Sequence, residues 1–169
     1  MKSVNVNGQV KFYYGFIKSL WYYIKKKFTR IRNGEKIMGV KIGYSGVGNI
    51  GNPLVKGLVK SGTARPEDVY IYDVDSSRME ELVKETGVTP CENNIQLVRE
   101  CDYIVLAIKP IFVRQVLEEI RDVFTKDKVL VSIVVGVTTN TLRSILYDDA
   151  KVVRAIPNLP VMVGEGMTL

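Results

Sequence analysis

A glycine-rich turn set between a strand and a helix constrains this chain more than any other feature. Val40 to Gly51 reads Val-Lys-Ile-Gly-Tyr-Ser-Gly-Val-Gly-Asn-Ile-Gly. The pattern predicts a short strand, a Gly46-x-Gly48-x-x-Gly51 turn and a helix opening at about Asn49. Such a turn lets backbone approach a pyrophosphate closely, and the helix N-terminus offers it N–H groups and a partial positive charge. The turn alone is a weak signal, and its surroundings strengthen it. A helical pattern follows, and an acidic residue, Asp73, ends the next predicted strand, 22 positions past Gly51.

Beyond the turn, strand and helix patterns alternate. Leu54, Val55, Leu58 and Val59 give the first helix a buried face, with Pro53 in its first turn and Ser61-Gly62 at its end. Val69–Tyr72 is a second strand, and Ser77-x-x-Glu80 reads as a capping box opening a helix that Gly87 stops. A weaker strand is expected near Val88 and a short helix around Ile95–Val98. Tyr103–Ile108 and Val129–Val135 are continuous apolar runs, as expected of strands covered on both faces. Val113, Val116, Leu117, Ile120 and Phe124 mark a helix between them. Thr138 or Thr139 caps another carrying Leu142, Ile145 and Leu146, and Val152–Ala155 is a last strand. The order implies an α/β, doubly wound Rossmann-type parallel sheet with its ligand crevice at the carboxyl ends of the strands.

Charge divides the chain in two. Residues 1–38 hold nine Lys or Arg against one acid, +8, and the rest hold fifteen bases against seventeen acids, −2. The basic pI therefore belongs to an N-terminal extension, residues 1–37, and gives no reason to expect nucleic acid as a partner of the domain at 38–169. Tyr13, Ile17, Leu20, Ile24, Phe28 and Ile31 fall on one stripe of a basic amphipathic helix, amid Lys18, Lys25, Lys26 and Lys27. Residues 11–32 are thus suited to contact with an anionic membrane surface, and are too charged to span one. The alternatives are a poorly ordered or partner-dependent arm, or a translated upstream segment of no function, since Met38 stands two residues before the first strand and would make a natural start. A cytoplasmic, membrane-peripheral location is expected, with Cys91 and Cys101 as free, half-buried thiols. The sequence contains no histidine, which excludes imidazole acid–base chemistry and histidine metal ligands. No metal site is expected.

Four blocks resemble the pyrroline-5-carboxylate reductases. They are Ile42–Gly51, Val105–Pro110, Ser132–Thr138 and Arg154–Pro160 running into Val163–Gly166. The resemblance covers 38–169 and implies an NAD(P)-binding domain. In that family Gly46, Val47, Gly48, Asn49, Ile50 and Gly51 would hold the pyrophosphate. Asn94 would meet the adenosine ribose, Ala107 and Lys109 would line the nicotinamide ribose, and Pro157-Asn158 would lie under the nicotinamide ring. Ser45 stands where the family usually has an aliphatic residue, and Leu159 where it usually has a threonine. Family members continue into a helical domain that dimerises and builds most of the substrate pocket. That domain is expected to be absent from this chain, which implies a homo-oligomer or a partner chain supplying it.

The implied reaction is hydride transfer from NADH or NADPH to a small cyclic imine, and no catalytic residue is assigned. Asp73, followed by Val74, favours NAD, whereas Ser76, Ser77 and Arg78 could gather the 2′-phosphate of NADP. The alternatives are a non-catalytic NAD(P)-binding module, half of a split enzyme, or an F420-linked or β-hydroxyacid dehydrogenase of similar fold.

Overall fold

The computed structural model describes residues 31–32, 35–36 and 39–155. Six parallel strands form one sheet: β1 (Ile42–Ser45), β2 (Val69–Tyr72), β3 (Thr89–Pro90), β4 (Tyr103–Leu106), β5 (Val129–Ser132) and β6 (Lys151–Arg154), in the order β3-β2-β1-β4-β5-β6. Helices α1 (Gly51–Lys60), α2 (Ser76–Thr86), α3 (Asn94–Glu100), α4 (Val113–Ile120) and α5 (Thr139–Leu146) connect them. The strand order reverses at β1, which pairs with β2 on one side through Ile42↔Val69 and with β4 on the other through Ile42↔Tyr103. A crevice therefore opens above the carboxyl end of β1, where the connections leave in opposite directions.

Period-two alternation sorts the strand residues between two cores. Ile42 and Tyr44 of β1, Val69 and Ile71 of β2, and Tyr103 and Val105 of β4 pack with Leu54, Val55 and Leu58 of α1 and Leu82 of α2. Ile104 and Leu106 of β4 and Leu130 of β5 point the other way, into Leu97, Leu117, Leu142 and Leu146 of α3, α4 and α5. Both faces of the central strands are covered, which is why they read as unbroken apolar runs.

The element boundaries shift in four places. The first helix begins at Gly51 rather than Asn49, because the turn occupies residues 48–50. The capping box at Ser77 is replaced by a cap two residues earlier: α2 begins at Ser76, and the Asp75 side chain accepts from the Arg78 N–H. The strands at 103 and 129 end at Leu106 and Ser132, so Ala107, Ile108 and Ile133–Val135 lie beyond the sheet at its carboxyl edge. Finally, Ile31–Arg32 pairs antiparallel with Glu35–Lys36. Ile31 is thus extended rather than helical, consistent with the Asn-Gly dipeptide at 33–34, a strong hairpin signal. The remainder of the amphipathic stripe, like Pro157 and Asn158, lies outside the described residues. Among the described residues no helix is long and apolar enough to cross a membrane.

Candidate functional site

The glycine turn is held from three sides. The Gly46 N–H extends the ladder to the Tyr72 carbonyl at 2.8 Å, and the Ala107 N–H donates to the Ser45 carbonyl at 2.8 Å. Gly46 has φ +95°, and a Cβ there would stand 2.6 Å from the Ala107 carbonyl oxygen. At Gly51 a Cβ would stand 2.2 Å from the Gly46 carbonyl oxygen. Backbone geometry therefore excludes side chains at both positions.

Gly48 differs. Its φ lies outside the left-handed region, and its nearest neighbour to an added Cβ is Arg78 Nη1, at an ordinary 3.5 Å. Nothing among the described residues demands glycine at 48, so the bare backbone there suits the close approach of a bound group. The helix that follows supports an anion. The side chains of Asp75, Asn93 and Thr138 cap α2, α3 and α5, while α1, like α4, has neither a side-chain cap nor an acid in its first turn. The Asn52 N–H already donates to the Gly48 carbonyl at 3.0 Å and Pro53 has no N–H, so α1 offers an outside acceptor its dipole and the N–H groups ahead of Asn52. The residues present thus fit a dinucleotide pyrophosphate.

Asp73, at the carboxyl end of β2, turns its carboxylate onto this turn. Oδ2 accepts the Val47 N–H at 2.8 Å, and Oδ1 accepts the Asp75 N–H at 3.0 Å. The sequence marked Asp73 as a ligand contact; the structure adds that it fixes the glycine turn against the start of α2. A cleft of about 370 Å³ lies alongside, lined by Val47, Gly48, Asn49, Asn52, Pro53, Lys56 and Arg78. Arg78 Nε pairs with Asp75 at 3.0 Å, and Lys56 pairs with Glu85. The Ser77 hydroxyl, donating to Asp75 at 2.6 Å, is the main reason that the Asp75 carboxyl is held below the usual range.

Asn94 is buried at the start of α3, between β1 and α4. Its Oδ1 accepts the Ser45 hydroxyl at 2.8 Å, and its Nδ2 donates to Glu119 Oε2 at 2.9 Å. Ser45, marked in the sequence only by its place at the strand end and as a departure from the family's aliphatic residue, and Glu119, which no local pattern singled out, are thereby joined to the site. Glu119 lies 25 positions from Asn94 in the chain, and nothing in the neighbouring sequence connects them. Ala107 is half-buried against the glycine turn. Lys109 is exposed just beyond β4, at the start of the turn Pro110–Phe112. All the predicted cofactor residues within the described range therefore gather at or beside the carboxyl ends of β1, β2, β3 and β4.

Cys91 and Cys101 are free but fully buried rather than half-buried, 4% and 1% exposed, because α3 and β4 close over them. Burial pushes the Cys91 thiol up to about 11 and the Cys101 thiol further in the same direction. Thiols in such surroundings are poor nucleophiles. Among the described residues, no group of three or more His, Cys, Asp or Glu is placed to hold a metal ion.

Comparison with known proteins agrees with this geometry. Residues 41–136 match the family described as NADP oxidoreductase, coenzyme F420-dependent. The pyrroline-5-carboxylate reductase of Escherichia coli (strain K12) is 36% identical over 131 residues, covering 78% of this chain and 49% of that protein. Among solved structures, the pyrroline-5-carboxylate reductase of Coxiella burnetii superposes with a TM-score of 0.73 at 31% identity, covering 78% of this chain and 48% of that one. Plasmodium falciparum pyrroline carboxylate reductase, solved with NADP bound, gives 0.67 at 30%, covering 76% and 46%. The chain spans about half the length of the curated relatives it matches. The glycine turn, the strand order and these matches together show that the chain belongs to the F420-dependent NADP oxidoreductase family and carries the NAD(P)-binding domain of the pyrroline-5-carboxylate reductases.

Proposed function

We propose that the chain binds a nicotinamide dinucleotide along the carboxyl edge of the sheet and presents it for hydride transfer to the carbon of a protonated cyclic imine. The substrate class follows the relatives' name. The observation that carries the binding half is Gly48, a glycine the fold itself does not require, beside a helix N-terminus without a side-chain cap. The nicotinamide, when bound, supplies the hydride. The chain's own residues position it: the turn from Gly46 to Gly51 takes the pyrophosphate, Asn94 the adenosine side, and Ala107 and Lys109 the nicotinamide ribose. By resemblance to the pyrroline-5-carboxylate reductases, Pro157-Asn158 would take the floor under the ring. A protonated imine is already electrophilic, so orientation and exclusion of water are the protein's main contributions, and a sequence without histidine can provide them.

The test is titration of the purified chain with NADH and with NADPH, followed by nicotinamide oxidation with pyrroline-5-carboxylate present. Binding with turnover is the expected result for a chain that completes an imine pocket, alone or with a second copy. Binding without turnover supports the second reading, a cofactor-binding module that depends on another chain. Binding of neither nucleotide overturns both.

A further inference from the structure

We infer that Met79 is a site of reversible oxidation by hydroperoxides, and that its sulfoxide loosens the glycine turn and lowers affinity for the dinucleotide. The modification stands on the geometry of the sulfur, and its effect on binding rests on the dinucleotide reading above.

Met79 is the fourth residue of α2, half-buried against the core that α1 and α2 share with the sheet. Its sulfur does more than fill space. The Asp73 N–H donates to Met79 Sδ at 3.1 Å, where β2 has ended and the chain turns toward α2. A thioether is a weak acceptor, yet here it takes the backbone donor of the residue whose carboxylate holds the Val47 N–H at 2.8 Å and the Asp75 N–H at 3.0 Å. Met79, Asp73 and Val47 thus form one line of contacts from α2 to the wall of the cleft.

Oxidation breaks that line at its first link. A sulfur lone pair attacks the terminal oxygen of a hydroperoxide; the O–O bond breaks as the S–O bond forms, and the proton of that oxygen passes to the leaving oxygen, which departs as an alcohol or, from hydrogen peroxide, as water. Sulfur loses two electrons and the peroxide gains two. The sulfoxide sulfur carries partial positive charge and no longer attracts an N–H. Its oxygen has no room between a sulfur and a nitrogen already 3.1 Å apart. Either the Asp73 N–H loses its acceptor or α2 shifts to supply a new one, and in both cases the carboxylate that fixes the glycine turn is set loose.

The fold also directs the oxidant. Met79 is the only methionine among the described residues, and the other sulfurs there, Cys91 and Cys101, are 4% and 1% exposed. Thiols react with peroxide as thiolates, and burial keeps both protonated. Peroxide arriving from solvent therefore meets the thioether first.

The full chain is treated with hydrogen peroxide, mapped by peptide mass and titrated with NADH and NADPH, with its thermal melt recorded alongside. One added oxygen on Met79 is expected, with Kd raised severalfold in a chain still folded at the titration temperature. Methionine sulfoxide reductases with a thiol reductant should restore the affinity. Met79→Leu cannot take the oxygen, and peroxide should leave its Kd where it started. Met79→Gln, which places a polar oxygen there permanently, should bind like the oxidised chain, and with the reductase reversal it carries the test if Met79→Leu does not fold. An unmodified Met79 in a chain whose other methionines are oxidised overturns the site. Oxidised Met79 with unchanged affinity overturns the coupling, as does an equal loss of affinity in peroxide-treated Met79→Leu. Failure of the untreated chain to bind either nucleotide overturns the dinucleotide reading and the coupling with it, while the peptide map still decides the site.

Discussion

At Gly48 and Gly46 the same substitution has opposite consequences, and the contrast separates ligand-imposed glycines from fold-imposed ones. Gly48→Ala places its methyl group in the cleft, in ordinary contact with Arg78. Its melting temperature should stay close to that of the unaltered chain, while affinity for NADH falls roughly tenfold or more, about 1.4 kcal/mol. Gly46→Ala meets the Ala107 carbonyl at 2.6 Å with φ +95°, and strain alone should cost about 1–3 kcal/mol of stability. Thermal melts and cofactor titration check both, and equal destabilisation by the two would sink the distinction. Ser45→Ala removes the hydroxyl that Asn94 Oδ1 accepts and leaves a buried amide oxygen unsatisfied. The expected cost is about 1–3 kcal/mol by denaturant unfolding. The glycine turn was legible in the sequence because its requirement is local. The Ser45–Asn94–Glu119 chain was not, because it joins β1, α3 and α4 across separations of 49 and 25 residues.

At the level of elements, the apolar stripes gave helices and strands in the right order, and the errors fall at their ends. Asp75, Ser76 and Ser77 are all able to cap, and sequence spacing favoured Ser77 through Glu80. The structure uses Asp75, whose carboxylate accepts the Arg78 N–H and also pairs with the Arg78 guanidinium, two contacts a serine hydroxyl cannot supply together. Thr138 has no such competitor in the structure: its hydroxyl accepts the Thr141 N–H at 3.1 Å and opens α5. Thr138→Ala should destabilise the domain by about 1 kcal/mol, and Thr138→Ser should restore most of it, read from denaturant midpoints. The strand ends were overextended for a related reason. Ile133 and Val134 are buried, 5% and 3% exposed, yet stand past the last paired residue of β5. Hydrophobicity reports burial, and burial continues past the paired residues, where Ile133 and Val134 join the two cores.

Residues 39–155 form a sheet buried on both faces whose order, β3-β2-β1-β4-β5-β6, follows from alternating elements and the reversal at β1. The sequence could not reveal how completely the two cores close. Cys91 and Cys101 sit 4% and 1% exposed, and Tyr44 is also buried. Burial raises all three, Cys91 to about 11 and the others further. An unfolded thiol titrates near 8.5, so the unfolded chain loses these protons first as pH climbs. The stability these groups contribute is complete below that value and is lost as pH rises toward about 11. Melting temperature should therefore be nearly level between pH 7 and about 8.5 and fall steadily above it. Lys41, raised mainly by its contact with the Tyr70 side chain and then by Glu100, loses its contribution in the same direction at higher pH, so the curve alone does not isolate the thiols. The double variant Cys91→Ala, Cys101→Ala does. It starts from lower stability because it leaves small cavities, but its decline between pH 8.5 and 10 should be shallower than that of the unaltered chain. Parallel curves for the two proteins would show that the cores open to solvent well before global unfolding, and that their closure is weaker than the burial of these side chains indicates.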